Sequence, residues 1–223
     1  QISIFFLNFK DFIMDDVSKI IKEIKAGQIK PIYFLMGDEP YYIDKVSEFI
    51  EQNVLPEESR GFDQMVMYGK DVTMQDVIAA AKRFPMLAEK QVIIVREAQE
   101  LAKSINDLTA YVENPQPTTT LVFCYKKDKL DGKLKVTKAL TQKEYIFNSK
   151  KKYENEVAKW MVGVLKTKKL TINPKAAALL IEFLGTDLSR IATEFDKLAI
   201  ILKPGDEITV EIIEKNIGFS KDY

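Results

Sequence analysis

One stretch, Pro31–Val46 (PIYFLMGDEPYYIDKV), constrains this chain more than any other. An unbroken apolar run, Ile32–Met36, leads into a tight Gly-Asp-Glu turn. Pro40 stands where a first helical position belongs, and Ile43, Val46, Phe49 and Ile50 carry a helical period. Strand, glycine turn and helix start, in that order, are the geometry of a phosphate-binding loop, whose working form reads G-x-x-x-x-G-K-[ST]. Counting from Gly37, the place of the second glycine holds Tyr42, that of the lysine holds Ile43, and that of the hydroxyl holds Asp44. A ring where backbone must approach a phosphate, and a carboxylate beside a polyanion, both work against a nucleotide, although amides at the helix N-terminus still attract anions. Two readings follow: a phosphate loop stripped of its chemistry, or an ordinary strand-to-helix turn of a parallel sheet, which needs only a Gly and a Pro.

The rest of the chain fits a parallel sheet. A helix with Val17, Ile20, Ile21 and Ile24 on its apolar face precedes the stretch and ends at Gly27. Phe62–Tyr68 reads as a strand closed by Gly69. Thr73 and Asp76 form a capping box for a helix running through Val77, Ile78, Ala81 and Phe84, stopped by Pro85. Gln91–Val95 is a continuously apolar, parallel-type strand. Leu101–Val112 has a helical pattern that Asn114-Pro-Gln-Pro117 breaks, and Leu121–Tyr125 and Tyr145–Phe147 read as two more strands. From Lys150 onward only helices are indicated, with starts at Tyr153, at Asn173-Pro174, at Asp187 and near Thr209. The expectation is an α/β domain over residues 14–149, with a doubly wound parallel sheet, and a small helical domain over 150–223. Residues 1–13 read as an upstream extension, or as a short strand on a sheet edge.

Residue inventory removes several chemistries. The 223 residues contain no histidine, so imidazole acid/base catalysis and imidazole metal ligation are out. The single cysteine, Cys124, lies inside an apolar run, which suits a buried strand thiol in a reducing, cytoplasmic setting. No stretch reaches the length of a membrane span. Formal net charge is zero, so contact with nucleic acid must be local.

A second nucleotide signature also fails. In Val92–Glu97 (VIIVRE), Arg96 stands where a magnesium-binding aspartate belongs, and only Glu97 remains acidic. With these blocks in view, PIYFLMGDEPYYIDKV, FPMLAEKQVIIVREAQEL, TTTLVFCYKKDKLDGKLKVTKAL, GTDLSRIATEFDKLAI and EITVEIIEKNI resemble, in order and spacing, the delta subunit family of bacterial DNA polymerase III, over about residues 14–217. The resemblance implies an ATPase-like (AAA+-type) α/β domain with a helical lid-like domain, no cofactor and no ATPase activity of its own. It also implies a clamp-loader role, with the sliding clamp (beta subunit), other clamp-loader ATPase subunits and primed DNA as partners. Residues 1–13 have no counterpart in the family, and the chain stops where its third, collar domain begins.

Three groups of residues carry competing readings. Phe84-Pro85-Met86-Leu87 is a core-facing corner on sequence alone, whereas the resemblance makes Met86 and Leu87 the apolar pair that enters a pocket on the clamp. Between Lys126 and Lys152, ten lysines stand against Asp128, Asp131 and Glu144, forming either a solvated face with a charged linker or a patch near DNA phosphates that includes Lys150, Lys151 and Lys152. Arg190 is either a relic of a nucleotide-sensing arginine or a partner of Glu194 one helical turn on. The rival to the clamp-loader reading as a whole is an active P-loop NTPase with an atypical phosphate loop.

Overall fold

In the computed structural model, which describes residues 15–127 and 129–217, residues 19–151 are built on one sheet of five parallel strands. The strands are β1 (Ile32–Gly37), β2 (Gln64–Tyr68), β3 (Gln91–Arg96), β4 (Thr119–Tyr125) and β5 (Ile146–Ser149). Their order across the sheet is β2-β3-β4-β1-β5, with Met36 beside Tyr125 and Gly37 beside Ser149. The extension expected for residues 1–13 lies outside the described residues.

The strands at the centre are apolar throughout because helices cover both faces. One face packs on α2 (Pro40–Asn53), which follows β1 directly and buries Ile43, Val46, Phe49 and Ile50. The opposite face holds the larger core, in which Phe34, Phe123, Ile93 and Val95 meet α4 (Met74–Ala81), α5 (Thr109–Glu113) and α6 (Lys135–Gln142). The remaining helices of this unit are α1 (Asp15–Lys25), which straddles its boundary, and the short α3 (Glu57–Asp63). Beyond β1 the chain crosses toward β2, and beyond β4 it crosses the other way toward β5. The carboxyl ends of β1 and β4 therefore flank a topological switch point, where open α/β sheets place ligands.

Several elements differ from the sequence pattern: the strand expected over Phe62–Tyr68 begins only at Gln64, because Phe62 and Asp63 are the last residues of α3. The capping box starts α4 as expected, with the Asp76 amide donating to Thr73 Oγ1 at 3.2 Å, but the helix ends at Ala81 and leaves Phe84 outside it. Its last carbonyls are drawn off by side chains of the sheet: the Gln91 side-chain amide donates to Ala80 O at 3.2 Å, and Thr119 Oγ1 donates to Ala81 O at 2.8 Å. The segment expected as a helix over 101–112 is a 3-10 helix over Ala98–Leu108 followed by α5. Ser104 and Thr109 donate their hydroxyls to carbonyls three residues back, which favours the tighter turn while Leu101, Ile105 and Leu108 stay buried.

The second compact unit comprises, among the described residues, 152–217 together with 15–18. Its helices are α7 (Glu154–Thr167), α8 (Pro174–Leu184), α9 (Leu188–Ile201) and α10 (Val210–Asn216). Asn173 caps α8 through the Ala176 amide at 2.8 Å, and Asp187 caps α9 through the Arg190 amide at 3.0 Å, each worth about 1 kcal/mol. Two-residue strands, β6 (Thr171–Ile172) and β7 (Glu207–Ile208), pair in parallel within it, too short to announce themselves by periodicity. Trp160, Met161, Leu180, Ile191 and Phe195 form its buried interior. Glu194 is held by Lys197 at 2.8 Å instead of Arg190. Among the described residues no helix is long and apolar enough to cross a membrane.

Candidate functional site

The turn between β1 and α2, expected as a degenerate phosphate loop, uses three of its amides within the chain. Gly37 has φ 138°, and a Cβ there would sit 1.9 Å from Ser149 O, so only glycine fits between β1 and β5. The Gly37 amide donates to Lys127 O at 2.9 Å and the Glu39 amide to Ser149 O at 3.3 Å. Pro40 has no amide hydrogen to offer, and the Tyr41 amide donates to the carboxylate of Glu39 at 3.1 Å. The chain's own Glu39 thus sits at the N-terminus of α2, where the helix dipole would otherwise draw a phosphate. Asp38 in turn accepts the Lys151 amide at 3.1 Å. Tyr42 and Ile43 are buried, so neither faces a ligand.

At the switch point stands a residue whose position the sequence pattern did not single out. Lys126, just past β4, places its Nζ 3.1 Å from Asp44 and 3.1 Å from Glu97. It therefore bridges the residue at the hydroxyl's place in the phosphate loop and the surviving acid of the second signature. Burial lowers the Lys126 pKa, but the hydrogen bond and charge of Asp44, followed by those of Glu97, outweigh it and hold the ammonium protonated. Glu97 is held below the ordinary carboxylate range, first by the hydrogen bond from Gln99 and then by Lys126. Arg96, at the magnesium-binding position, turns to Glu51 of α2 at 2.7 Å. Internal charges of the chain thus meet where a nucleotide and its metal would require theirs, and Lys126 does not belong to the exposed lysine run with which it was grouped.

The Phe84–Leu87 corner is displayed and not core-facing. Phe84, Met86 and Leu87 are 76%, 72% and 64% exposed. With α4 ended at Ala81, these residues lie on the connection from α4 to β3. The connection is tied down by Asp63, the last residue of α3, which is only 4% exposed. Its carboxylate accepts three consecutive amides, from Met86 at 2.5 Å, Leu87 at 2.8 Å and Ala88 at 2.6 Å. Those hydrogen bonds, the one from Met86 foremost, hold its pKa below the ordinary carboxylate range. Phe62, beside Asp63 in α3, is itself 63% exposed, adding another large apolar group at this end of the sheet. Asp63 was not singled out by the sequence, and Phe62 was read there only as the start of a strand. Cys124 is buried, and loss of solvent around the thiol pushes its pKa up to about 11, so it is no nucleophile. Lys150 and Lys151 are exposed, while Lys152 is half-buried.

A parallel sheet in this order, with its switch point at the end of β1 and a helical unit after it, defines a P-loop-ATPase-like domain of the AAA+ type. The Holliday junction branch migration motor RuvB of Thermotoga maritima has the same fold, with a TM-score of 0.54 at 16% identity over 96% of this chain and 72% of that one. Within that class the chain belongs to the DNA polymerase III delta subunit family, whose sequence model matches residues 33–150. It is 28% identical to DNA polymerase III subunit delta of Bacillus subtilis over 213 residues, 92% of this chain and 61% of that protein. The solved Bacillus subtilis DNA clamp loader delta protein superposes with a TM-score of 0.68 at 27% identity, over 91% of this chain and 62% of that one. The chain spans about three fifths of the length of these relatives.

Proposed function

We propose that this chain is a non-catalytic clamp-loader component that grips the replicative sliding clamp through Met86 and Leu87, with Phe84, Pro85 and Phe62 around them, and favours its open form. The supporting observation is the exposed apolar pair on a corner anchored by three hydrogen bonds to one carboxylate. A rigid anchor loses little entropy on docking, and a few such side chains commonly carry most of an interface's energy. In the holoenzyme, ATP turnover belongs to other clamp-loader subunits, and the clamp is passed to primed DNA in the cytoplasm. Lys150, Lys151 and Lys152 are the candidates for contact with the DNA backbone, acting by counterion release. No cofactor is needed for this role.

The rival, an active NTPase with an unusual loop, needs amides and cations that face a ligand. The engagement of the Gly37, Glu39 and Tyr41 amides and of Lys126 tells against it. The test is binding of the chain to its cognate sliding clamp, followed by surface plasmon resonance. Saturable binding that weakens when Met86 and Leu87 are truncated supports the reading, and absence of binding overturns it.

A further inference from the structure

We infer that Asp63 is a positioning residue for the clamp contact, holding the Met86–Ala88 backbone in the one shape that presents Met86 and Leu87 outward together. This rests on the clamp-binding reading above and names a residue through which that surface acts. The connection between α4 and β3 is short of regular structure from Lys82 to Lys90, so its shape depends on side-chain anchors. A carboxylate is the acceptor that suits it: ionised, it only accepts, and its two oxygens offer enough lone pairs for three amide hydrogens. Met86 uses Oδ1, while Leu87 and Ala88 share Oδ2. Three successive amides converging on one acid leave the loop little freedom to turn the adjoining side chains inward. Hydrogen bonds to an ionised group are also about twice as strong as neutral ones. Met86 and Leu87 gain no comparable hold from packing, because most of their surface is open to water.

The position of Asp63 in the fold makes the clasp stiff. It closes α3, and Gln64 immediately enters β2, which pairs with β3. The same carboxylate therefore joins the loop before β3 to the strand beside β3, so the apolar pair is referred to the sheet from both sides. Asn at this place keeps the size but turns one acceptor into a donor that faces amide hydrogens. Asp63→Asn thus frees the loop without removing any atom that touches the clamp.

The experiment is a mutant cycle on clamp affinity, combining Asp63→Asn with the pair Met86→Ala/Leu87→Ala, alongside hydrogen exchange of the residue 86–88 amides. Asp63→Asn is expected to release protection at those amides and weaken clamp binding about tenfold, with a much smaller effect when Met86 and Leu87 are already alanine. Equal weakening in both backgrounds would overturn the inference, since Asp63 would then act other than through the pair. So would loss of amide protection with affinity unchanged. If Asp63→Asn does not fold, Ala88→Pro removes one of the three donated amides from the loop side and is read in the same way. Unchanged affinity of Met86→Ala/Leu87→Ala alone would refute the functional reading itself, whereas loss there beside an inert Asp63→Asn refutes only the positioning role.

Discussion

Truncating Met86 and Leu87 together to alanine separates a binding corner from a structural one. At 72% and 64% exposure, about a third of each side chain is out of water in the free protein. Complete burial of a Leu or Met side chain is worth about 1.5–3 kcal/mol, so a third of that for two residues, less what the alanine methyls keep, is ~1 kcal/mol of stability. For a protein of this size that lowers Tm by ~2–4 °C. A pair packed in the core would instead cost about 4–10 kcal/mol together, through lost contacts and cavities. On the clamp the account reverses, because the exposed two thirds of each side chain becomes the part that is buried. The same area relation then gives about 2–4 kcal/mol for the pair, within the range of interface hot spots. That corresponds to clamp affinity weakened about 30- to 700-fold. Differential scanning calorimetry and surface plasmon resonance on the same preparation read both quantities. A double variant that melts ~10 °C lower or more, and whose folded fraction still binds the clamp normally, refutes both the exposure argument and the assignment.

The remaining expectations concern the nucleotide position, the lysines, the loop glycine and the buried thiol. Calorimetric titration with magnesium-ATP should show no site, and Lys126→Ala should not create one, because the amides of Gly37, Glu39 and Tyr41 stay engaged; micromolar binding would favour the NTPase reading. Replacing Lys150, Lys151 and Lys152 with Ala should flatten the salt dependence of binding to primed DNA, and an unaltered slope would return them to a solvated linker. Gly37→Ala should cost about 3 kcal/mol or more in a urea melt, since the new methyl meets Ser149 O and the backbone is in the glycine region; a loss within ~0.5 kcal/mol would show that β1 and β5 can part freely. Because burial raises the Cys124 pKa from 9.0 to about 11, the neutral thiol's contribution to stability is complete below pH 9 and is lost as pH rises toward 11. Wild type should therefore lose stability relative to Cys124→Ala over that window, and parallel pH profiles for the two would contradict the shift.

What the sequence disclosed and what it concealed divide by the distance over which each feature is made. The β1–α2 unit was legible because every signal lies within it: an apolar run, one glycine, and a proline at the helix start. The capping box of α4 was legible for the same reason. The end of α4 was not, because Gln91 and Thr119, which take the Ala80 and Ala81 carbonyls, arrive from two later strands. The whole nucleotide signature could be read as absent from Tyr42, Ile43, Asp44 and Arg96, yet what replaced it could not. Lys126 lies 29 residues from Glu97, and before folding it was one lysine in a run of ten. Asp63 is 23 to 25 residues from the amides it holds and carries no motif at all.

These two acids and one lysine answer the same physical demand. Asp44 and Glu97 meet at the switch point as two partly exposed carboxylates, whose charges favour a cation placed between them. Without a cation the two would repel each other there, and Lys126, just past β4, places its ammonium 3.1 Å from each. Glu39 meets the matching demand at the helix N-terminus. With the Gly37, Glu39 and Tyr41 amides and these charges partnered within the chain, the sheet is held together at this end by the chain's own groups. It can then serve as a fixed support from which Asp63 holds an apolar corner at the far end, between β2 and β3.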